Sequence, residues 1–126
     1  MTNKIARLRA QAFANQQGLC CYCYKPMCNG DPQEFALTYS ITLRQARQRR
    51  CTAEHLIAQQ DGGSDSAANI AAACLYCNRT RHLSKNPLRP DRYRTKVQRA
   101  MARGRWHGIL KRLQRGSPSE ESSRQE

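Results

Sequence analysis

Aromatic residues are scarce in this chain, at 6% of 126 positions, and acidic residues are outnumbered, nine Asp and Glu against 22 Lys and Arg. With 39% hydrophobic residues and a mean hydropathy of −0.83, the chain cannot bury a large core. Small domains of that kind need a staple. The shortage of acids leaves a net charge of +13 and a pI near 10.1. Such a balance favours a polyanionic partner, the phosphate backbone being the commonest; a merely soluble basic protein is the plain alternative. No apolar run approaches the length of a membrane span, so no membrane association is expected. Met1-Thr2-Asn3-Lys4 has no apolar segment of a secretory leader. A reducing, cytoplasmic setting, bacterial or phage, is the expectation.

Against these shortages stand seven cysteines. An odd number, without a leader, argues for reduced thiols over disulfides. Two C-x-x-C pairs, Cys20-x-x-Cys23 and Cys74-x-x-Cys77, supply four soft ligands for one tetrahedral, closed, structural Zn²⁺ site. Free buried thiols or a redox dithiol are the competing explanations. Cys21 has the wrong spacing, and Cys28 is left outside the set.

In chain order, residues 3–17 have apolar positions (Ile5, Leu8, Ala12, Phe13) near helical spacing, and Gly18 is a stop. Asn29-Gly30-Asp31-Pro32 is a turn, and Pro32 opens a short helix to Ser40. Thr42 can cap a second helix, Leu43 to Arg50, crowded with Arg44, Arg47, Arg49 and Arg50. The pair resembles a helix-turn-helix, although a basic insertion that clamps the backbone or caps the fold suits it better. Residues 51–58 suggest a short strand with Glu54 and His55 near its end, followed by a Gly62-Gly63 loop. Ser64, Asp65 or Ser66 can start the next turn. Ile70-Ala71-Ala72-Ala73-Cys74 is rich in helix formers and predicts a helix to about His82. A further basic helix is expected from Asp91 to Arg103, then a bend at Arg105-Trp106-His107-Gly108 and a last helical turn over 109–115. The remainder, 116–126, is Ser/Glu/Pro-biased and reads as a disordered tail. It carries Glu120, Glu121 and Glu126 against Arg124, so the positive excess belongs to residues 1–115. These form a single domain with a core at about 15–85 and a basic helical extension at about 88–115.

Hard divalent cations take oxygen ligands, which Glu54 and Asn78 can offer to a Mg²⁺ or Mn²⁺ ion. His55 offers an imidazole, whose neutral form is available at physiological pH to take a proton from water. Asn69 can hold the loop and the His55 backbone, or cap a helix. Arg81, three residues after Asn78, shares its face and can grip a phosphate. Each has an ordinary explanation alone: an ion pair with an arginine for Glu54, a cap or surface amide for Asn78, a structural role for His55. Candidate nucleic-acid contacts are Arg81, Arg79, Arg44, Arg47 and Arg99.

The series Cys20-x-x-Cys23, Glu54-His55, Gly62-Gly63, Asn69, Cys74-x-x-Cys77-Asn78 and Arg81 resembles the HNH endonucleases. The spacing supports this, with 14 positions from His55 to Asn69, nine from Asn69 to Asn78 and three from Asn78 to Arg81. The resemblance covers about residues 15–85. It implies a small α+β, ββα-metal fold with a four-cysteine knuckle and flanking basic helices. It implies His55 as general base, Glu54 and Asn78 as ligands of a catalytic divalent ion, Asn69 as the residue orienting the histidine, and Arg81 on phosphate. The expected reaction is metal-dependent hydrolysis of DNA, most simply double-stranded, to 5′-phosphate and 3′-hydroxyl ends, alone or within a larger nuclease assembly. The chain departs from the pattern in three ways. Glu stands where Asp is usual. The third position is Asn, an H-N-N variant, with His82 one turn on as an alternative ligand. The 24–50 insertion exceeds what the motif needs. The principal rival is a non-catalytic, zinc-stabilised nucleic-acid-binding module; a redox or zinc-relay protein leaves Glu54-His55 and the charge unexplained.

Overall fold

A computed structural model describes residues 3–110 of the chain. Among these residues five α-helices and one two-stranded sheet follow in the order α1 (Asn3–Asn15), α2 (Pro32–Tyr39), α3 (Leu43–Gln48), β1 (Cys51–His55), β2 (Ile70–Cys74), α4 (Leu75–Arg81) and α5 (Pro90–Ala102), with one 3-10 turn (Gln59–Asp61) between the strands. This is a small α+β fold. The sequence expectations for the last helical turn past Leu110 and for the tail lie outside the described residues.

β1 and β2 pair antiparallel, Cys51 opposite Cys74 and His55 opposite Ile70. Here the expectation of a helix from Ile70 is corrected. Residues 70–74 are a strand, and the helix starts only at Leu75. Alanine favours helix by a few tenths of a kcal/mol per residue. Small side chains on β2, four of its five residues buried, let α1, β1 and the cysteine knuckle approach it closely. Pairing on both edges outweighs the local preference. The second edge is closed by a side chain: Gln16 Nε2 donates to the Ala72 carbonyl (2.9 Å), and the Ala72 amide donates to Gln16 Oε1 (3.0 Å). β1 is also shorter than expected, ending at His55 rather than 58.

The 24–50 insertion leaves and returns at one point. Cys28 N–H donates to the Arg49 carbonyl (2.8 Å) and Cys51 N–H to the Cys28 carbonyl (2.9 Å). Its helices have the caps their sequence implies. Asp31 accepts from the Gln33 amide ahead of Pro32, and Thr42 and Gln45 form a reciprocal capping box at 3.0 Å each way. α3 ends at Gln48, which frees Arg49 to turn inward.

The core itself is mostly cysteine, alanine and tyrosine: Cys20, Tyr22, Cys23, Cys51, Ala72, Ala73, Cys74, Cys77, Tyr93 and Val97. α5 is moored on it through Tyr93 and Val97, and by Tyr93 Oη donating to the Cys77 carbonyl (2.7 Å). Arg94 Nε donates to the Cys21 carbonyl (2.9 Å) and Gln98 Nε2 to the Tyr22 carbonyl (2.6 Å).

The loop between the strands is closed by Gly63, where an added Cβ would stand 1.7 Å from the Ile57 carbonyl oxygen and 2.8 Å from Asn69 Nδ2. Gly63→Ala is therefore expected to cost about 1–3 kcal/mol and to expose the Ile57 amide to hydrogen exchange. Gly30→Ala, with nothing within 4 Å, should leave the thermal midpoint unchanged. Differential scanning fluorimetry with amide exchange of the two variants checks this.

Candidate active site and metal centre

The sulfur atoms of Cys20, Cys23, Cys74 and Cys77 lie within 4.8 Å of one another, all buried. Tetrahedral Zn–S bonds of about 2.3 Å place sulfurs roughly 3.8 Å apart, so the cluster can hold one zinc ion. The knuckle is a tight reversal, Cys20 N–H donating to the Lys25 carbonyl (3.0 Å) and Tyr24 N–H to the Cys20 carbonyl (3.0 Å). Cys74 is the cap of α4 and Cys77 stands in its first turn, so strand end and helix start deliver the second pair.

The surroundings suit anionic sulfur. Cys20 accepts from the Tyr22 and Cys74 amides, Cys74 from the Cys77 amide, and Cys77 from Trp106 Nε1, each at 3.3 Å. Arg49 is fully buried without a carboxylate partner among the described residues. Both its terminal nitrogens lie 3.5 Å from Cys23 Sγ, and the guanidinium also donates to the Lys25 and Pro26 carbonyls. Burial opposes its charge, but the field of Cys74, Cys23 and Cys20 raises its pKa further above the usual arginine value. A buried cation of this kind needs a buried anion. The bare thiols divide. Cys23 is brought down to about 5, with the contact to Cys20 opposing and those to Cys74 and Cys77 outweighing it. Cys20 also falls, against burial, through hydrogen bonds from all its thiol neighbours. Cys74 rises through burial and its contact with Cys20, and Cys77 through its contacts with Cys20, Cys23 and Cys74. Four thiolates together require a cation.

Across Tyr22 this centre meets the acid of the strand. Glu54 is 1% exposed. Its Oε2 accepts from Tyr22 Oη (2.7 Å) and Arg81 Nη1 (2.6 Å), and its Oε1 lies 2.9 Å from His82 Nε2. Arg81 is thus turned inward and does not face solvent as a phosphate grip would. The ion pair considered as an ordinary explanation for Glu54 is present, and its partner is that same arginine. Arg81 also donates from Nε to the Leu88 carbonyl (3.0 Å). Tyr22 is held protonated by burial and by Glu54. On the neighbouring helix position, Asn78 Nδ2 donates to Thr52 Oγ1 (2.9 Å) and the Ala53 carbonyl (3.2 Å), and its Oδ1 takes no hydrogen bond from the described residues.

His55 is partly buried beside the loop. Its Nε2 is 2.8 Å from Asp65 Oδ1, which also accepts from Gln59 Nε2 (3.1 Å). Hydrogen bonds from His55 and Gln59 hold the Asp65 carboxyl below its usual range. Asn69 is buried and stitches the loop: Oδ1 accepts from the Ile57 amide (2.8 Å), and Nδ2 donates to the Ile57 (3.0 Å) and Ser64 (2.9 Å) carbonyls. Since a strand follows it, Asn69 caps no helix.

The remaining predicted contacts separate. Arg44 and Arg79 line one groove of about 410 Å³ between α3 and α4, with Tyr76 and His107. Arg47 is exposed on α3, and Arg99 stands on the outer face of α5. Among the described residues, Cys20, Cys23, Cys74 and Cys77 are the one cluster of metal-ligating Cys, His, Asp or Glu. Sequence reasoning missed Asp65, Tyr22, Arg49 and Trp106. None lies in a repeated spacing, and only Tyr22, inside the knuckle, carried a positional hint.

Two outcomes follow. Purified protein should carry one zinc per chain by elemental analysis, and Cys77→Ser should lose the metal and the cooperative unfolding transition. Arg81→Met leaves Glu54 buried without its cation and should cost about 3–5 kcal/mol in urea unfolding, whereas exposed Arg79→Met should stay within about 0.5 kcal/mol.

No curated protein and no solved structure matches the chain. The HNH endonuclease family model matches residues 42–84, the stretch that contains β1 with Glu54 and His55, the Asn69-stitched loop, β2, and α4 with Cys77 and Asn78. Through that stretch, about a third of the chain, the protein is similar to HNH endonucleases.

Proposed function

We propose that the protein is a phosphodiester hydrolase acting on DNA, with His55 as general base. The observation that supports this most is the His55–Asp65 pair at 2.8 Å, on the residue next to Glu54 and within the HNH match. A hydrogen bond from Nε2–H to Asp65 leaves the Nδ1 lone pair as the acceptor. His55 takes a proton from water at Nδ1. The water oxygen attacks phosphorus in line, the bond to the 3′ oxygen breaks, and that oxygen leaves with a proton from solvent. Asp65 stabilises the imidazolium formed and fixes its ring, as a carboxylate does behind other histidine bases. Asn69 keeps the loop that carries Asp65 folded over β1.

The donor set fits a hard divalent ion in a restricted way. Glu54 Oε2 is committed to Tyr22 and Arg81. Oε1 faces His82, the most exposed of its three partners. Glu54 Oε1 and Asn78 Oδ1 would hold Mg²⁺ or Mn²⁺, with His82 a further candidate ligand. Such an ion supplies charge neutralisation at the phosphate and the leaving oxygen. The cysteine cluster would hold structural Zn²⁺ and, with four ligands, keeps no open position for chemistry.

A second reading, the non-catalytic nucleic-acid-binding module, draws on the same geometry. Glu54 is already satisfied by protein donors, as a purely structural acid would be. Plasmid cleavage separates the two. Wild type with Mg²⁺ or Mn²⁺ should nick or linearise, EDTA and His55→Ala should abolish cutting, and Asp65→Asn should lower the rate about 10²-fold or more. Tight binding without cutting under every metal supports the module instead.

A further inference from the structure

α5 has two faces of different character. The inner face, Tyr93, Arg94, Val97 and Gln98, is bonded and packed onto the knuckle. The outer face carries Arg92, Thr95, Lys96, Arg99 and Arg103, and the chain folds back beyond it, Arg105 N–H donating to the Ala100 carbonyl (2.8 Å). Between the helix and this return lies an open groove of about 580 Å³. Its five cations, Arg92, Lys96, Arg99, Arg103 and Arg105, are all exposed and have no carboxylate within 4.0 Å among the described residues. Asp91 is the single acid that lines the groove, and it lies 3.8 Å from Arg89.

We infer that this groove seats the phosphate backbone of a nucleic-acid duplex. From Arg92 to Arg103 the stripe rises roughly 16 Å, at 1.5 Å per residue. That length faces about five phosphates of one strand at 3.4 Å each along a duplex. The groove is lined by no aromatic residue on which an unstacked base could lie, which single-strand binders use. Arginine and lysine spaced one helical turn apart recognise a regular row of charges without reading sequence. The helix that carries them is fastened to the cysteine knuckle and to Cys77, so its backbone is held in place before binding. Leu88 also lines the groove, and its carbonyl accepts from Arg81, the partner of Glu54. The groove and the cluster around the candidate catalytic acid are therefore linked by one chain of hydrogen bonds through Arg81.

The choice of nucleic acid rests on the nuclease reading, but the test does not require cleavage. Fluorescence anisotropy of a labelled 20-base-pair duplex is followed against salt concentration, using full-length protein carrying His55→Ala so that the duplex stays intact. Adding Lys96→Gln, Arg99→Gln and Arg103→Gln together should reduce the slope of log K against log salt by about 2–3, near 0.9 per phosphate lost. Arg99→Gln alone should reduce it by about one. Lys4→Gln, Arg7→Gln and Arg50→Gln together should leave the slope within error. Zinc content of each protein confirms that it is folded. An unchanged slope in the α5 triple variant, or an equal fall in the control triple, overturns the assignment. Stronger competition by an unlabelled single strand than by duplex overturns the choice of duplex. Failure of wild type to cut plasmid leaves these readings untouched and counts only against the proposed hydrolase.

Discussion

Four sulfur atoms and one buried guanidinium set the terms for this structure. A chain with so few aromatic and branched apolar residues has no conventional core, and its centre is a knot of cysteine, alanine and tyrosine. Among the described residues Arg49 has no carboxylate to answer it, and it lies against Cys23. Its charge is answered by an anionic Cys23, and four adjacent thiolates would persist only around a cation. The cysteine cluster, which could hold a metal ion, therefore acts as the core. It joins the knuckle, the end of β2 and the start of α4, and supplies the platform on which α5 lies.

The same centre is physically continuous with the candidate chemistry. Tyr22 stands between two of the cysteines, and its hydroxyl holds Glu54. Arg81, one turn beyond Cys77 on α4, holds the same carboxylate oxygen. The acid is thereby immobilised from both halves of the metal site, with one oxygen turned towards His82 and away from the core. His55, one residue on, is governed by different contacts. It belongs to the loop, through Asp65, and the loop belongs to Asn69. Two independent devices thus position neighbouring residues, a buried ion-pair network for the acid and a stitched loop for the candidate base.

Much of this was legible in the residues. Paired C-x-x-C motifs announce a four-sulfur cluster because cysteines separated by two residues across a turn can converge on one ion. Asp31-Pro32 and Thr42-x-x-Gln45 announce helix starts because their side chains satisfy amides that the helix leaves free. Asn69 as a loop anchor follows from an amide that both donates and accepts. The strand over Ile70-Ala71-Ala72-Ala73-Cys74 was not legible. Its local composition favours a helix, and only the edges of β1 and Gln16, distant in sequence, make the extended form preferable.

The sequence by itself determined the cysteine set, the basic balance and the order of Glu54, His55, Asn69 and Asn78, since these depend on residue type and spacing. Tertiary structure alone decided which way the long polar side chains turn. Arg81 and Arg49 read on paper as two more cations of a basic surface. In the fold each faces a buried anion, Glu54 for one and Cys23 for the other, because a long flexible side chain follows the strongest field it can reach. Asp65 reads as a turn former and becomes the partner of His55 for the complementary reason: closing the loop brings a carboxylate to an imidazole ten residues away.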